Sequence, residues 1–149
     1  MLNRREINVS CIYIASDHAG FNLKKYLVEN MDTCNDLGTY SPESCDYPVY
    51  AKKLVTQVLQ HPDSFGVLIC GSGVGMSIAA NRYVGIRAAL CLNEEMAALS
   101  RQHNNANVIV LGARMISPET ALNCCRVFFS TSFEGGRHLR RISLIDQIS

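Results

Sequence analysis

The sequence has no tryptophan and only four prolines, and charged residues make up just 18% of it. No apolar run approaches the roughly 18 residues that a transmembrane helix needs. The net charge of +1 argues against the broad basic face of a general nucleic-acid binder. The polar start of the chain has no signal-peptide apolar region. We therefore expect a cytoplasmic protein that binds neither membrane nor nucleic acid.

The seven cysteines are odd in number and include no Cys-x-x-Cys pair. A disulfide framework and a zinc site are therefore not expected, and we predict no metal and no cofactor. This cysteine usage fits a reducing cytosol. Four cysteines lie in apolar segments, where we expect them to be core residues: Cys11, Cys91, Cys124 and Cys125.

A length of 149 residues with 48% apolar content predicts a single domain with an ample core. We place this domain at residues 11–149 and interpret residues 1–10 as a short disordered extension. The combination of low charge and high apolar content also fits a protein that buries part of its surface in an oligomer.

Short apolar runs alternate with amphipathic segments along the chain. Strands are predicted at 12–15, 33–37, 66–70, 86–92 and 107–111. Helices are predicted at 21–30, from Pro48 to just before Pro62, at 74–81, from Asn93, from Ser117 and after Gly136. On the second helix, one apolar face is expected to contain Ala51, Leu54, Val55, Val58 and Leu59. The alternation predicts an α/β fold, a three-layer, doubly wound, Rossmann-like parallel sheet of about five strands.

The most informative segment is residues 70–75, Cys-Gly-Ser-Gly-Val-Gly, between a predicted strand and a helix. Glycines allow backbone N–H groups to turn toward an anion, and a helix N-terminus favours both an anion and a thiolate. A buried structural cysteine before a glycine turn is the alternative. Met76 stands where a dinucleotide-binding fingerprint needs glycine and where the loop of a cysteine phosphatase needs arginine, so neither motif fits. The Gly-Lys-Ser/Thr triplet of a mononucleotide P-loop does not occur. The remaining interpretation is a loop that binds a small anion or an enediolate, with a thiol beside it.

Other candidates follow strand ends or glycine breaks. Asp17 and His18 follow the first strand, and Asp17 as a helix cap is the alternative. His103 lies at the end of a helix, where it could move protons. Arg137 and Arg141 are i, i+4 neighbours at the start of a helix, where the dipole disfavours cations. A bound phosphate would satisfy them, and salt bridges to Glu134 and Asp146 are the alternative.

Five short motifs occur in order along the chain: Asp17-His18-Ala19-Gly20, Asp46-Tyr47-Pro48, the segment 70–75, the segment 100–104 (Ser-Arg-Gln-His-Asn), and the segment 135–141 with its arginines. Together they resemble the type B ribose-5-phosphate isomerases, which share a superfamily with the galactose-6-phosphate isomerase subunits. The resemblance covers about residues 11 to 149.

The resemblance implies interconversion of ribose 5-phosphate and ribulose 5-phosphate without metal or organic cofactor. It implies that Cys70 is the base, that His103 opens the sugar ring and that Ser72 contacts the reacting oxygens. Backbone N–H groups from Gly71 to Gly75 would stabilise the enediolate. The remaining substrate-binding residues would be Asp17, His18, Tyr47, Gly71, Gly73, Val74, Gly75, Asn104, Arg114, Arg137 and Arg141.

The resemblance also implies a homodimer, or a dimer of such dimers, in which each site is shared between two chains. The C-terminal helix is then expected to reach a partner chain. Some relatives have glutamate at the position of Met76 and lack the cysteine, so this chain belongs with the thiol type. Two alternatives stay open on the sequence: an isomerase for a six-carbon sugar phosphate, and a sugar-phosphate sensor without turnover.

Overall fold

The structure, a computed structural model, describes residues 11–147, so the predicted N-terminal extension lies outside the described residues. The strands are β1 (Cys11–Ser16), β2 (Asn35–Asp36), β3 (Ser64–Cys70), β4 (Ala88–Leu90) and β5 (Val108–Gly112). The helices are α1 (Phe21–Asn30), α2 (Tyr47–Gln60), α3 (Val74–Ala80), α4 (Glu94–Asn104), α5 (Pro118–Ser130) and α6 (Arg137–Ile145). Within this part of the chain, no helix has both the length and the apolar character needed to cross a membrane.

All five strands are parallel, in the order β2-β1-β3-β5-β4. The connections from β1 lead outward to β2 and then back across to β3, so the winding direction reverses between β1 and β3. In open parallel sheets, ligands bind beyond the carboxyl ends of the strands at such a reversal. The predicted doubly wound sheet is confirmed, and its topology locates a candidate site next to Ser16 and Cys70.

Successive residues of β3 are buried on opposite faces of the sheet, as strand geometry requires. Val67 and Ile69 pack in a core with residues of α1, α4 and α5, whereas Leu68 and Cys70 pack in a second core with residues of α2 and α3. Two apolar layers thus cover the sheet, and the thiol of Cys70 belongs to the layer beneath α3.

The structure corrects several predictions at the edges of the fold. Cys11, predicted as core, is only half-buried because it begins β1, whereas the other three predicted core cysteines are buried. Leu59 is 42% exposed and lies outside the buried stripe of α2. The outer strands β2 and β4 are shorter than predicted, with only one neighbouring strand each.

Candidate active site

A cavity of about 320 Å³ opens at the carboxyl edge of the sheet. It is bounded by residues that follow three different strands, together with a residue of α2. The lining residues are Asp17, His18, Ala19, Tyr47, Cys70, Gly71, Ser72, Gly75, Arg114 and Met115. The structure therefore brings together eight of the predicted site residues, from four separate parts of the sequence, in a space suited to a small polar ligand.

The loop after β3 directs a backbone amide at the thiol. Gly73 adopts φ of 81°, a left-handed conformation that favours glycine. In this turn, the N–H of Gly73 donates to Cys70 Sγ at 3.2 Å. The turn thus holds a backbone donor directly against the sulfur of Cys70. The side chain of Ser72 is exposed at the rim, where its Oγ accepts the N–H of Val74 at 3.2 Å.

Two glycines of the thiol loop lie in close contact with other site residues. A Cβ on Gly75 would lie 2.6 Å from the ring of Tyr47, and one on Gly71 would lie 2.8 Å from Nη1 of Arg114. Tyr47 and Arg114 are therefore packed directly against the backbone of the thiol loop. An aromatic ring and a guanidinium group thus border the loop.

The residues after β1 are fixed by hydrogen bonds. Asp17 is buried, and its Oδ1 accepts the N–H of Gly20 at 3.1 Å, so it supports the turn into α1 as well as lining the cavity. The N–H of Cys45 lies 3.2 Å from Nδ1 of His18. The carbonyl oxygen of Cys45 lies at 3.2 Å from the same atom, so Nδ1 accepts from the N–H or donates to the carbonyl according to its tautomer.

Four predicted site residues lie elsewhere in the single chain: His103, Asn104, Arg137 and Arg141. None of them lines the cavity beside Cys70. Asn104 borders a separate cavity of about 390 Å³, and its carbonyl accepts Nε of Arg87 at 2.9 Å. Arg137 and Arg141 are exposed on α6. Between residues 11 and 147, neither arginine forms an ion pair, because Glu134 contacts His138 and Asp146 contacts Arg87.

His103 has a partner that the sequence did not predict. Its ring stacks on that of His138, with centroids 4.3 Å apart and planes inclined by 14°. His138 is buried, and its Nε2 lies 3.5 Å from a carboxylate oxygen of Glu134. Partial burial, followed by the nearby charges of His103 and Arg137, lowers the pKa of His138 below its ordinary value.

The arginine next to this pair is structural. Arg101 is buried and donates to the carbonyls of Thr131 and Ala106 and to the side chain of Asn105. Burial lowers its pKa from the ordinary value. The predicted helix end is confirmed, because Asn105 adopts the left-handed conformation with φ of 45°.

Two residues near the predicted site were missed. Met115 is 58% exposed and lines the mouth of the cavity, directly after Arg114. His138 lies within the segment 135–141, in which only the arginines were predicted as site residues. One sequence signal pointed to it: Glu134 precedes it by four residues, a spacing that pairs side chains on a helix or its first turn.

The parallel sheet and the pocket at its winding reversal define a Rossmann-like α/β protein with a ligand-sized site at the strand ends. The family model described as Ribose/Galactose Isomerase matches residues 12–145. The chain belongs to this family.

Solved and curated relatives agree along nearly the whole chain. Ribose-5-phosphate isomerase B of Escherichia coli is 43% identical over 141 residues, 92% of this chain and 95% of that protein. The Thermotoga maritima ribose 5-phosphate isomerase structure has a TM-score of 0.90 and 55% identity, covering 92% and 97% of the two chains. The Mycoplasma genitalium ribose-5-phosphate isomerase B, solved with bound ribulose-5-phosphate, has a TM-score of 0.87 and 42% identity, covering 91% and 93%.

Proposed function

We propose that this chain is an aldose–ketose isomerase that interconverts D-ribose 5-phosphate and D-ribulose 5-phosphate through an enediolate. The observation that carries the proposal is the thiol of Cys70, which lies in a cavity at the strand ends and accepts a backbone N–H. Family membership supports the reaction class, and the relatives named for this reaction support the pentose phosphate substrate.

Cys70 is the base of this reaction. Its thiolate removes the proton from C2 of the open-chain aldose and returns it to C1, while a proton moves from the oxygen on C2 to the oxygen on C1. Negative charge accumulates on these oxygens in the enediolate. Backbone N–H groups of the loop from Gly71 to Gly75, with Val74 among them, and the hydroxyl of Ser72 stabilise that charge. One such donor is typically worth about 3–4 kcal/mol.

Ring opening needs a proton on the ring oxygen, and His103 is the donor. Since His103, Asn104, Arg137 and Arg141 do not line the cavity of their own chain, we assign them to the site of a second copy. The exposure of α6 supports this assignment, because Leu139, Leu144 and Ile145 are each about half exposed at 55%, 49% and 47%. An apolar helix surface of this kind is suited to burial against a partner chain.

The phosphate is held by arginines from both chains. Arg114 borders the cavity from one chain, and Arg137 and Arg141 approach from the other. Bidentate guanidinium contacts would fix the phosphate end of the sugar and orient its C1 and C2 atoms at Cys70. Asp17, His18 and Tyr47 bind the hydroxyls and the sugar face. The seven cysteines are free in the structure, which supports a cytoplasmic location.

The test is turnover of ribose 5-phosphate by the purified protein in excess EDTA, with Cys70→Ala and Cys34→Ala alongside. Cys34 is a half-buried thiol outside the cavity, which makes it a matched control. We expect Cys34→Ala to keep normal turnover and Cys70→Ala to lose roughly 10²–10⁴ of it, the usual contribution of a positioned base. Full turnover by Cys70→Ala would refute the assigned base, and no turnover by the unaltered protein would refute the pentose phosphate reaction.

A further inference from the structure

The stacked pair of His103 and His138 connects two separate elements, because His103 ends α4 and His138 lies in the first turn of α6. His103 is half-buried and His138 is 8% exposed, so the second ring is the better fixed of the two. At a centroid distance of 4.3 Å and an inclination of 14°, the face of His138 covers one face of the His103 ring. A ring confined on one face has fewer orientations available to it.

The segment before α6 holds His138 in place independently of His103. The N–H of Glu134 donates to the carbonyl of Gln102 at 3.1 Å, which ties this segment to the end of α4. Gly135 and Gly136 then turn the chain with φ of 70° and 56°, and the N–H of His138 donates to Gly135 at 3.1 Å. The carboxylate of Glu134 lies 3.5 Å from His138 Nε2.

The surroundings of His138 disfavour its protonation. His138 faces His103 from α4, Arg137 and Arg141 on α6, and Glu134 from the preceding segment. Partial burial and the positive neighbours lower the pKa of His138, and the carboxylate opposes them only in part. His138 is therefore harder to protonate than a free imidazole.

We propose that His138 is a positioning residue that holds the imidazole of His103 in the orientation needed to protonate the sugar ring. The proposal rests on the proposed function, in which His103 opens the ring. His138 itself touches no reacting atom in this account. A misplaced catalytic group can cost roughly a hundredfold in rate, so a loosened His103 should slow ring opening and little else.

Two bulky apolar substitutions separate stacking from simple packing. His138→Phe keeps a flat ring against His103, whereas His138→Leu fills the space without one. We expect His138→Leu to lower kcat on ribose 5-phosphate by roughly tenfold with KM nearly unchanged, and His138→Phe to retain at least about half of the normal kcat. Equal kcat values for the two variants, whether both normal or both low, would overturn the proposal.

A second readout isolates the ring-opening step. Ribulose 5-phosphate cannot form a furanose ring, because its C5 oxygen carries the phosphate. Exchange of its C1 proton in D₂O therefore requires the enediolate chemistry at Cys70 but no ring opening. We expect His138→Leu to keep the normal exchange rate, and an exchange rate that falls as far as turnover would overturn the proposal.

Turnover by His103→Asn distinguishes failure of this proposal from failure of the proposed function. If His103 does not open the ring, His103→Asn will retain normal turnover of ribose 5-phosphate, whatever His138→Leu does. If the proposed function holds and only the positioning role is wrong, His103→Asn will be slow while His138→Leu and His138→Phe behave alike.

Discussion

The two halves of the candidate site differ in how completely one chain builds them. The half at the strand ends is assembled within the chain, since residues after β1, β3 and β5 line one cavity with Cys70. The half on α4 and α6 is ordered around the stack of His103 and His138, yet Arg137 and Arg141 are exposed and this half lies outside that cavity. Under the proposed function, the first half carries the enediolate chemistry and the second half supplies ring opening and phosphate contacts to a second copy.

The strongest way to separate the halves is to remove the proton donor. His103→Asn is expected to slow turnover of ribose 5-phosphate by about 10²–10⁴, the range for a positioned general acid. Proton exchange at C1 of ribulose 5-phosphate should stay near normal, because that substrate has no ring to open. NMR in D₂O measures the exchange, and His61→Asn, a histidine at the end of α2, is the control. Loss of exchange in His103→Asn would assign His103 to the enediolate step instead.

Phosphate binding should depend on both halves. Arg114→Ala and Arg141→Ala are each expected to raise KM by roughly 10- to 100-fold, since a hydrogen bond to a charged group contributes about 1.5–3 kcal/mol. Their kcat values should change much less, because the phosphate does not react. Steady-state kinetics measures both constants. Arg140→Ala, on the exposed face of the same helix, should leave KM unchanged; an equal rise there would point to a general charge effect.

A smaller effect is expected from crowding the strand-end half. In Gly75→Ala the new Cβ would lie 2.6 Å from the Tyr47 ring, which must move away from the thiol loop. We expect kcat/KM to fall by about tenfold, an effect of the size that displaced substrate-positioning groups produce. Ser77→Ala is the control, because Ser77 lies on α3 with Gly75. Normal kinetics in Gly75→Ala would mean that the position of Tyr47 does not matter to the substrate.

The smallest effect concerns the thiols far from the site. Burial, and then the neighbouring Cys124, raises the pKa of Cys91 from 9.0 to about 12. Burial, and then Glu94, raises that of Cys124 from 9.0 to about 11. Because these thiols ionise more readily in the unfolded chain, stability is full below pH 9 and falls as the pH rises toward 11 and 12. Urea unfolding between pH 8 and 11 measures this loss. Above pH 9 the free energy of unfolding is expected to fall by roughly 1 kcal/mol per pH unit for each thiol. A midpoint that does not fall would contradict the burial of these thiols.

The strand-end half could be predicted from sequence because local patterns determine it. A strand followed by Gly71, Gly73 and Gly75 places the thiol at the edge of a parallel sheet, and parallel strands bring their carboxyl ends together. The short outer strands and the exposed Leu59 were not predictable in this way, since tertiary contacts decide how much of an apolar run becomes covered.

For the half on α4 and α6, the sequence predicted which residues belong to the site but not how they contact one another. Sequence position indicated His103, Arg137 and Arg141, and the resemblance implied their roles, while the stack with His138 depends on how Gly135 and Gly136 turn α6 back toward α4. Periodicity within one element carries no information about such a contact between elements. The assignment of these residues to a second copy stays a prediction.

Mixing two inactive variants tests that prediction most directly. Cys70→Ala and His103→Asn are unfolded together, refolded and assayed with ribose 5-phosphate, with each variant alone as the control. If each site takes Cys70 from one chain and His103 from another, half of the chains form mixed dimers with one intact site, and about a quarter of the normal activity returns. If both residues act within one chain, no site is intact and activity stays at the level of the separate variants, which would contradict the shared site.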